Sequence, residues 1–596
     1  MFKKVNVLLN KTTKILPPHE SPKQLGDEFA SYFNEKVEKI YQGLESNKQV
    51  TVESGNSTNN LPEPKCTITE FDFVHEEEIL KYINESPGKT CLLDPIPTWF
   101  MKKNVHVFYP IVTDIVNGSL SSGTFPDSLK HAVVSPIIKK RSLKADKLKN
   151  YRPVSNIPYV SKVVEKFAIN NITRFIKAND LGEIFQSAYK SIHSTETALH
   201  RVKDDIMKCM SQREGVCLVL LDLSSAFDTV SHKVLLRRLA DEFGVQGSVL
   251  QWVESYLTGR TTRVCIDGVL SEPHVIRFGL PQGSIVGPSM FTIYTHPIGR
   301  IIRQFGISYH MYADDIQLYI SFNPKDPASI ASALHRLTEC IKAIKIWMNN
   351  NMLKLNDDKT EFMVITPRHL KSHVPEVSLL LDGVTVSPTE SVRNLGVIFD
   401  SEMSMAPHVR SLCTGLNFQL RNLSRIRRFL DYDTSHLVTR SIILQRLDYC
   451  NGLLLGCPKS EIQRLQRIQN WAAKVICKAS KWDHVTPYLQ QLHWLPIEDR
   501  ITFKILVVVF KCLNDLMPGY LTQTVSLHEP ARPGLRSESD TTCLFVHNTR
   551  GLLKSAESRS FTFSAPNIWN SLPKTIRESP SLSAFKKLLK THLYPA

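Results

Sequence analysis

Hydrophobic and polar positions divide this chain into three textures. Near the N-terminus an amphipathic stretch, "GDEFASYFNEKVEKIYQGL" (26–44), precedes a polar run, "ESGNSTNNLPEPK" (53–65). That pattern predicts a helical lead and linker over 1–65, with a boundary at its end. Residues 66–130 hold short helical patterns broken by "ESPGKT" and "DPIP". From 131 to 400 the texture is mixed. "HAVVSPIIKK" (131–140) and "VCLVLLDL" (216–223) read as strands. "TRVCIDGV" with "HVIRFG" reads as one hairpin, and "ISYHMYADDIQLYISF" (307–322) as another. Ile330, Leu334, Leu337, Ile341, Ile344 and Met348 then follow at alternating spacings of four and three. They predict one helix face, starting after Asp326-Pro327. "TEFMVIT" and "NLGVIFD" close the region as strands. Beyond 400, helical periodicity dominates. "SEIQRLQRIQNWAAKVICK" places Ile462, Leu465, Ile468, Ala472 and Val475 on one face. The last hundred residues end in a basic amphipathic helix, "SLSAFKKLLKTHLY", and no internal repeat is evident.

Composition narrows the partners. The 596 residues are 42% hydrophobic and 22% charged, an ordinary globular balance, long enough for about three to four domains. The formal net charge of +16 favours a polyanion, either nucleic acid or an anionic membrane. The longest apolar run, "ILVVVF" (505–510), falls far short of the roughly 20 residues of a membrane span. The basic start, "MFKKVNVLLNKTT", has too short an apolar part for a signal peptide. We therefore expect an intracellular protein, in nucleus or cytoplasm, not secreted and with no membrane partner. The 12 cysteines show no C-x-x-C pair, which points to reduced thiols. Residues 410–481 carry 13 Lys/Arg against 4 Asp/Glu. Arg464, Arg467 and Lys474 lie off the apolar face of their helix, as candidates to contact a nucleic-acid backbone rather than solvent alone.

The chemistry lies in the acids. Asp314 and Asp315 sit side by side inside a hairpin of otherwise apolar flanks, and Asp222 ends an apolar strand 92 residues upstream of Asp314. A sheet can bring a strand end and a hairpin turn together. Converging carboxylates repel unless a cation compensates them. Mg²⁺ suits a few carboxylate oxygens plus substrate phosphate, and two such ions about 3.5–4 Å apart clamp an in-line phosphoryl displacement. Turn-capping aspartates are the plainer alternative.

The motifs in order decide between them. "YADD" following "LDLSSAFD", with "GLPQGS" between, resembles the palm of reverse transcriptases. "NYRPVSNIPYVSKVVEK", "FQSAYKSIHSTETAL", "GLPQGSIVGPSMFTIYTHPI", "LKLNDDKTEFMVI" and "NLGVIFD" resemble the polymerases of non-LTR (LINE-type) retrotransposons, most of all the jockey-like clades. The likeness runs from about 70 to the C-terminus. It implies an α+β right-hand polymerase. A 66–130 extension precedes fingers and palm at 131–400, a helical basic thumb at 401–480 and an accessory region at 481–596.

The resemblance also implies roles. Asp222 and Asp314 would bind both metals, Mg²⁺ or alternatively Mn²⁺, with the Leu223 carbonyl assisting and Asp315 completing the cluster. Lys359 would protonate the pyrophosphate leaving group. Phe227 would be the aromatic gate at the sugar 2′ position. Arg152, with Lys139 or Lys140, would grip the triphosphate. Gly279, Gln282 and Gly283 would line template and incoming nucleotide, glycine suiting close backbone approach to a ligand. Asp228 reads as a structural hydrogen-bonding residue and His193 as structural. Lys190, where relatives commonly carry arginine, and "THPIG" (295–299), in place of an Asn-Asp pair, depart from the pattern without touching the metal site. The expected partners are an RNA template, a DNA primer or target and deoxynucleoside triphosphates, with oligomeric state left open. Two rival readings are a catalytically silent or domesticated nucleic-acid-binding remnant and an intron-encoded maturase. The roughly 130 residues before the fingers show no endonuclease pattern, so the chain is expected to extend primers without nicking duplex DNA.

Overall fold

A computed structural model describes residues 16–48, 64–140, 142–528 and 541–594. Most of the 53–65 linker lies outside the described residues. The helical lead forms α1 (Pro22–Lys48). A mixed sheet follows, built from β1 (His131–Ile138), β2 (Tyr151–Asn156), β4 (Thr261–Ile266), β5 (Val269–Leu270) and β6 (His274–Val275). Its order is β2-β1-β4-β5, with β6 also on β4 and β1 parallel to β4. α1 lies on this sheet. Leu25, Phe29 and Ala30 are buried with Val134, Tyr151, Val264 and Ile266, and Phe29 meets the Tyr151 ring edge-on at 5.0 Å. Farther along, Tyr41 stacks on Phe278 at 3.7 Å. The lead is thus part of the folded body.

The second sheet is antiparallel, in the order β7-β8-β3-β9. It comprises β3 (Gly215–Leu221), β7 (Ser308–Tyr312), β8 (Asp315–Phe322) and β9 (Glu361–Ile365). β3 is apolar at nearly every position because both of its faces are covered. Cys217, Val219 and Leu221 share a core with the striped helix, α3 (Pro327–Asn350). Val216 and Leu218 share another with Leu199, Val202, Ile206 and Met207 of α2 (Thr195–Ser211). The helix stripe lies where its periodicity placed it, with Ile330, Leu337, Ile341, Ile344 and Met348 buried. Its start is fixed by the Asp326 side chain, which accepts from the Ala328 amide, and by Pro327 in the first turn.

Past 400 the core continues without a break. Val409, Leu416 and Leu420 of α4 (Ala406–Ile426), and Leu465, Ile468 and Ala472 of α5 (Lys459–Cys477), join the core on the α2 side of the sheet. The apolar run "ILVVVF" lies in α6 (Ile497–Leu513), whose Ile505, Leu506 and Val509 are buried with Trp569 of α7 (Phe561–Asn570) and with Phe585 and Leu589 of α8 (Leu582–His592). No helix among the described residues is long and apolar enough to cross a membrane.

Candidate active site

Strand register brings the acids together. Leu221 pairs with Ile316, so Asp222, one residue past β3, emerges beside Asp315 at the start of β8. Tyr312 pairs with Asp315, leaving Ala313 and Asp314 as a two-residue turn. Ala313 takes φ +57°, a left-handed conformation that costs a non-glycine residue about 1 kcal/mol or more. Gln186 holds it there. Its Oε1 accepts from the amides of Ala313 (3.0 Å) and Ala188 (2.9 Å), and its neighbours Phe185 and Ser187 bond the backbone of Met311.

The carboxylates feel one another. Burial, then the Asp222 charge, raises the Asp314 carboxyl above its ordinary range, against its own backbone amide and Lys359. Asp315 is pushed up to about 6, by burial first and then by Asp314 and Asp222. Asp222 is held by a short helical turn. Its Oδ2 accepts from Lys359 Nζ (2.8 Å) and Asn356 Nδ2 (3.1 Å), and its carbonyl from the Asn356 amide (2.8 Å). Lys359 therefore sits on the acid cluster, spending its charge on Asp222.

This donor set fits a hard divalent cation. Asp222, Asp314 and Asp315 offer oxygens, burial and then neighbouring negative charge raise the Asp314 and Asp315 carboxyls, and the Leu223 carbonyl accepts no hydrogen bond among the described residues. No three His, Cys, Asp or Glu side chains among the described residues are grouped closely enough to hold a metal ion, and Lys359 Nζ lies 2.8 Å from Asp222 Oδ2.

Beyond Asp222 runs a loop, Leu223–Asp228, in which Ser225 takes φ +52°. The amides of Ser225, Ala226 and Phe227 donate to nothing among the described residues. Phe227 stacks on Phe291 (4.6 Å between centroids, 19°) and meets Tyr189 edge-on, while Tyr189 in turn feels the Asp314 charge. The Asp228 side chain accepts from Gln282 Nε2 (2.8 Å), a structural bond as its position suggested. The "GLPQG" loop is stitched beside it, with Gly279 N bonded to the Val230 carbonyl and the Gln282 carbonyl to Ser155 N, both at 2.8 Å. Gly279 (φ +83°) and Gly283 (φ +118°) are needed because a Cβ would strike the protein's own backbone, at Asp228 and Ser155 respectively.

Cations gather on the same side. Lys139, Arg152 and Lys359 share one electrostatic neighbourhood with Asp228, and Lys36 of α1 joins them. Partial burial, then these neighbouring charges, pulls the Lys139 ammonium below its ordinary range. Lys140 is exposed with no described contact, so Lys139 is the lysine grouped with Arg152. Lys190 Nζ is turned away, onto the Glu183 carbonyl at 2.5 Å. Sequence reasoning missed Gln186, Asn356, Tyr189 and Lys36. "FQSAY" and "LKLND" carried the first three as phrases, whereas nothing near Lys36 marks it.

The basic helix lies apart from the acids. Arg464 and Arg467 of α5 are exposed; Arg464 stands 3.5 Å from Glu461, and Lys474 Nζ is used locally on the Lys481 carbonyl (2.8 Å). Arg427 is buried and caps the end of α5 through the carbonyls of Val475 and Ile476.

Comparison with known proteins agrees with this geometry. The family "Reverse transcriptase (RNA-dependent DNA polymerase)" matches residues 138–399, the span holding the acids, the loop and Phe227. That span is less than half of the 596 residues, and over it the chain is similar to reverse transcriptases. It is 26% identical over 461 residues to the "Probable RNA-directed DNA polymerase from transposon X-element" of Drosophila melanogaster, covering 75% of this chain and 48% of that one. It is 26% identical over 363 residues to the "RNA-directed DNA polymerase from mobile element jockey" of the same organism, covering 60% and 38%. The chain spans about half the length, or less, of these relatives. A solved telomerase structure from Candida tropicalis aligns at TM-score 0.33 and 10% identity over 46% of this chain and 54% of that one, too loosely to carry weight.

Proposed function

We propose that the chain is an RNA-directed DNA polymerase of non-LTR retrotransposon type. It extends a primer 3′-hydroxyl with deoxynucleotides on an RNA template. The observation that carries this reading is the meeting of Asp222, Asp314 and Asp315 at one end of the antiparallel sheet, beside a loop of free amides and a group of cations. In this reading the antiparallel sheet is the palm, the mixed sheet bearing Lys139 and Arg152 belongs to the fingers, and the helices of 401–480 form the thumb.

Asp222, Asp314 and the Leu223 carbonyl would hold divalent ions, Mg²⁺ by preference, with Asp315 shaping the local charge. Such ions supply charge neutralisation at the attacking and leaving oxygens. The chain's own residues do the rest. Arg152 and Lys139 grip phosphate oxygens. Phe227, fixed on Phe291, crowds the sugar. Gln186 holds the Asp314 turn in its strained form. Lys359, with its ammonium on Asp222 Oδ2, would supply a proton to the leaving group. The test is extension of an oligo(dT) primer on poly(rA) in Mg²⁺. Extension that EDTA abolishes supports the proposal; a folded protein that adds nothing under either ion, Mg²⁺ or Mn²⁺, refutes it.

A further inference from the structure

The N-terminal helix supplies a charge that the reading above does not use. Lys36 Nζ donates to Ser225 Oγ at 2.6 Å, across 189 residues of chain. Ser225 is the left-handed residue of the loop between Asp222 and Phe227. Lys36 is also presented firmly: Phe29, seven residues before it, is fully buried, and Tyr41, five after it, is buried and stacked on Phe278.

Its surroundings are short of counter-charge. Lys139 has Lys36 and Arg152 as charged neighbours, and Lys36 and Lys139 both act on Asp228. Asp228 is already bonded to Gln282, and burial raises its carboxyl toward the neutral form. Asp222 is occupied by Lys359. Lys36 is thus bonded into a loop whose consecutive amides, those of Ser225, Ala226 and Phe227, donate to nothing among the described residues, with Lys139 and Arg152 as further cations in its neighbourhood. Successive free amides about a left-handed residue form a concave anion site.

We propose that Lys36 is a binding residue for the triphosphate of the incoming nucleotide, so that α1 forms one wall of the nucleotide site. This rests on the polymerase reading and deepens it. A nucleotide with its sugar at Phe227 would run its phosphates back along this loop toward Asp222. A triphosphate carries several charges on one short chain and calls for several cations and amides together. A template or primer phosphodiester carries one charge per residue and calls for far fewer. The Lys36–Ser225 bond holds the ammonium at the loop until the phosphates arrive.

The test uses the full chain on poly(rA) annealed to a dideoxy-terminated oligo(dT), so that dTTP binds in Mg²⁺ without being incorporated. Lys36→Ala and Lys36→Gln should each weaken dTTP binding about tenfold, the scale of one charge-assisted hydrogen bond. Lys36→Arg should stay within about threefold of wild type, and Lys39→Ala, on the same helix but paired with Glu35, should change nothing. Affinity for the annealed duplex and the melting temperature should be unchanged in all four. Unaltered dTTP affinity in Lys36→Ala and Lys36→Gln would overturn the proposal. So would weakened duplex binding at constant dTTP affinity, which would assign the cluster to a nucleic-acid phosphate. Failure of the wild type to bind dTTP at all would instead overturn the polymerase reading, and this inference with it.

Discussion

Phe227 lies flat against Phe291 and edge-on to Tyr189, so its ring is fixed beside the loop that follows Asp222. Removing it opens space where a 2′-hydroxyl would fall. Phe227→Ala should raise ribonucleotide incorporation relative to deoxynucleotide by about tenfold or more, a modest steric discrimination. Competition between rUTP and dTTP on poly(rA) measures it. An unchanged ratio with activity retained would leave Phe227 as packing alone. At this scale the acids were legible because each stands out against apolar flanks on a short strand. Gln186 was not, because its work is to hold the amide of Ala313, 127 residues away, and no local pattern records that. The glycines of "GLPQG" were legible as special backbone, but that a Cβ there would strike Asp228 and Ser155 depended on where those residues fold.

Elements dock through buried polar contacts that periodicity does not foretell. The N-terminus of α7 is tied to α2 by Asp204, which is 2% exposed and accepts from Ser560 Oγ (2.7 Å), Thr562 N (3.0 Å) and Thr562 Oγ1 (2.6 Å), with Lys208 at 2.9 Å. Burial alone would raise this carboxyl. Lys208 and the hydrogen bonds to Thr562 and Ser560 outweigh it and hold the group below its ordinary 3.8. A carboxyl depressed in the folded state stabilises at pH above its unfolded value and loses that contribution as pH falls through the folded one. Asp204→Asn should therefore cost about 3–5 kcal/mol at neutral pH, leaving Lys208 without its partner. The difference from wild type should hold from pH 8 to 5 and shrink only below about 3.8. Urea unfolding across that range checks both; a difference already gone at pH 5 would contradict the assignment. On α5 the exposed arginines invite a different measurement. If α5 tracks a nucleic-acid backbone, converting Arg464, Arg467 and Lys474 to Gln should flatten the log–log salt dependence of duplex binding by about one unit for each phosphate no longer neutralised. An unaltered slope would make these side chains a solvated face. Lys474, already on a carbonyl, is the one whose removal should matter least.

Over the whole molecule, the strands of both sheets except β2, the striped helix and the terminal helix follow from hydrophobic periodicity, because each buries a face near in sequence to the turns that set it; "YRPVSN" (β2) carries no such pattern. How the parts meet does not follow. α1 reads in the sequence as a detached lead, yet it covers one sheet and reaches the Asp222 loop; the core also runs unbroken past 400, where strands give way to helices. These contacts join residues hundreds of positions apart and leave no local signature. In the proposed reaction Asp222 and Asp314 carry template-directed nucleotide addition. Its most direct test is primer extension by Asp222→Asn and Asp314→Asn, each beside a measurement of duplex affinity. Both variants should lose extension by about a thousandfold or more, as befits removal of a charge that neutralises the reacting phosphate. Both should still bind RNA–DNA duplex as the wild type does, since that binding rests on Lys and Arg contacts. Extension at near-normal rate by either folded variant would contradict the account.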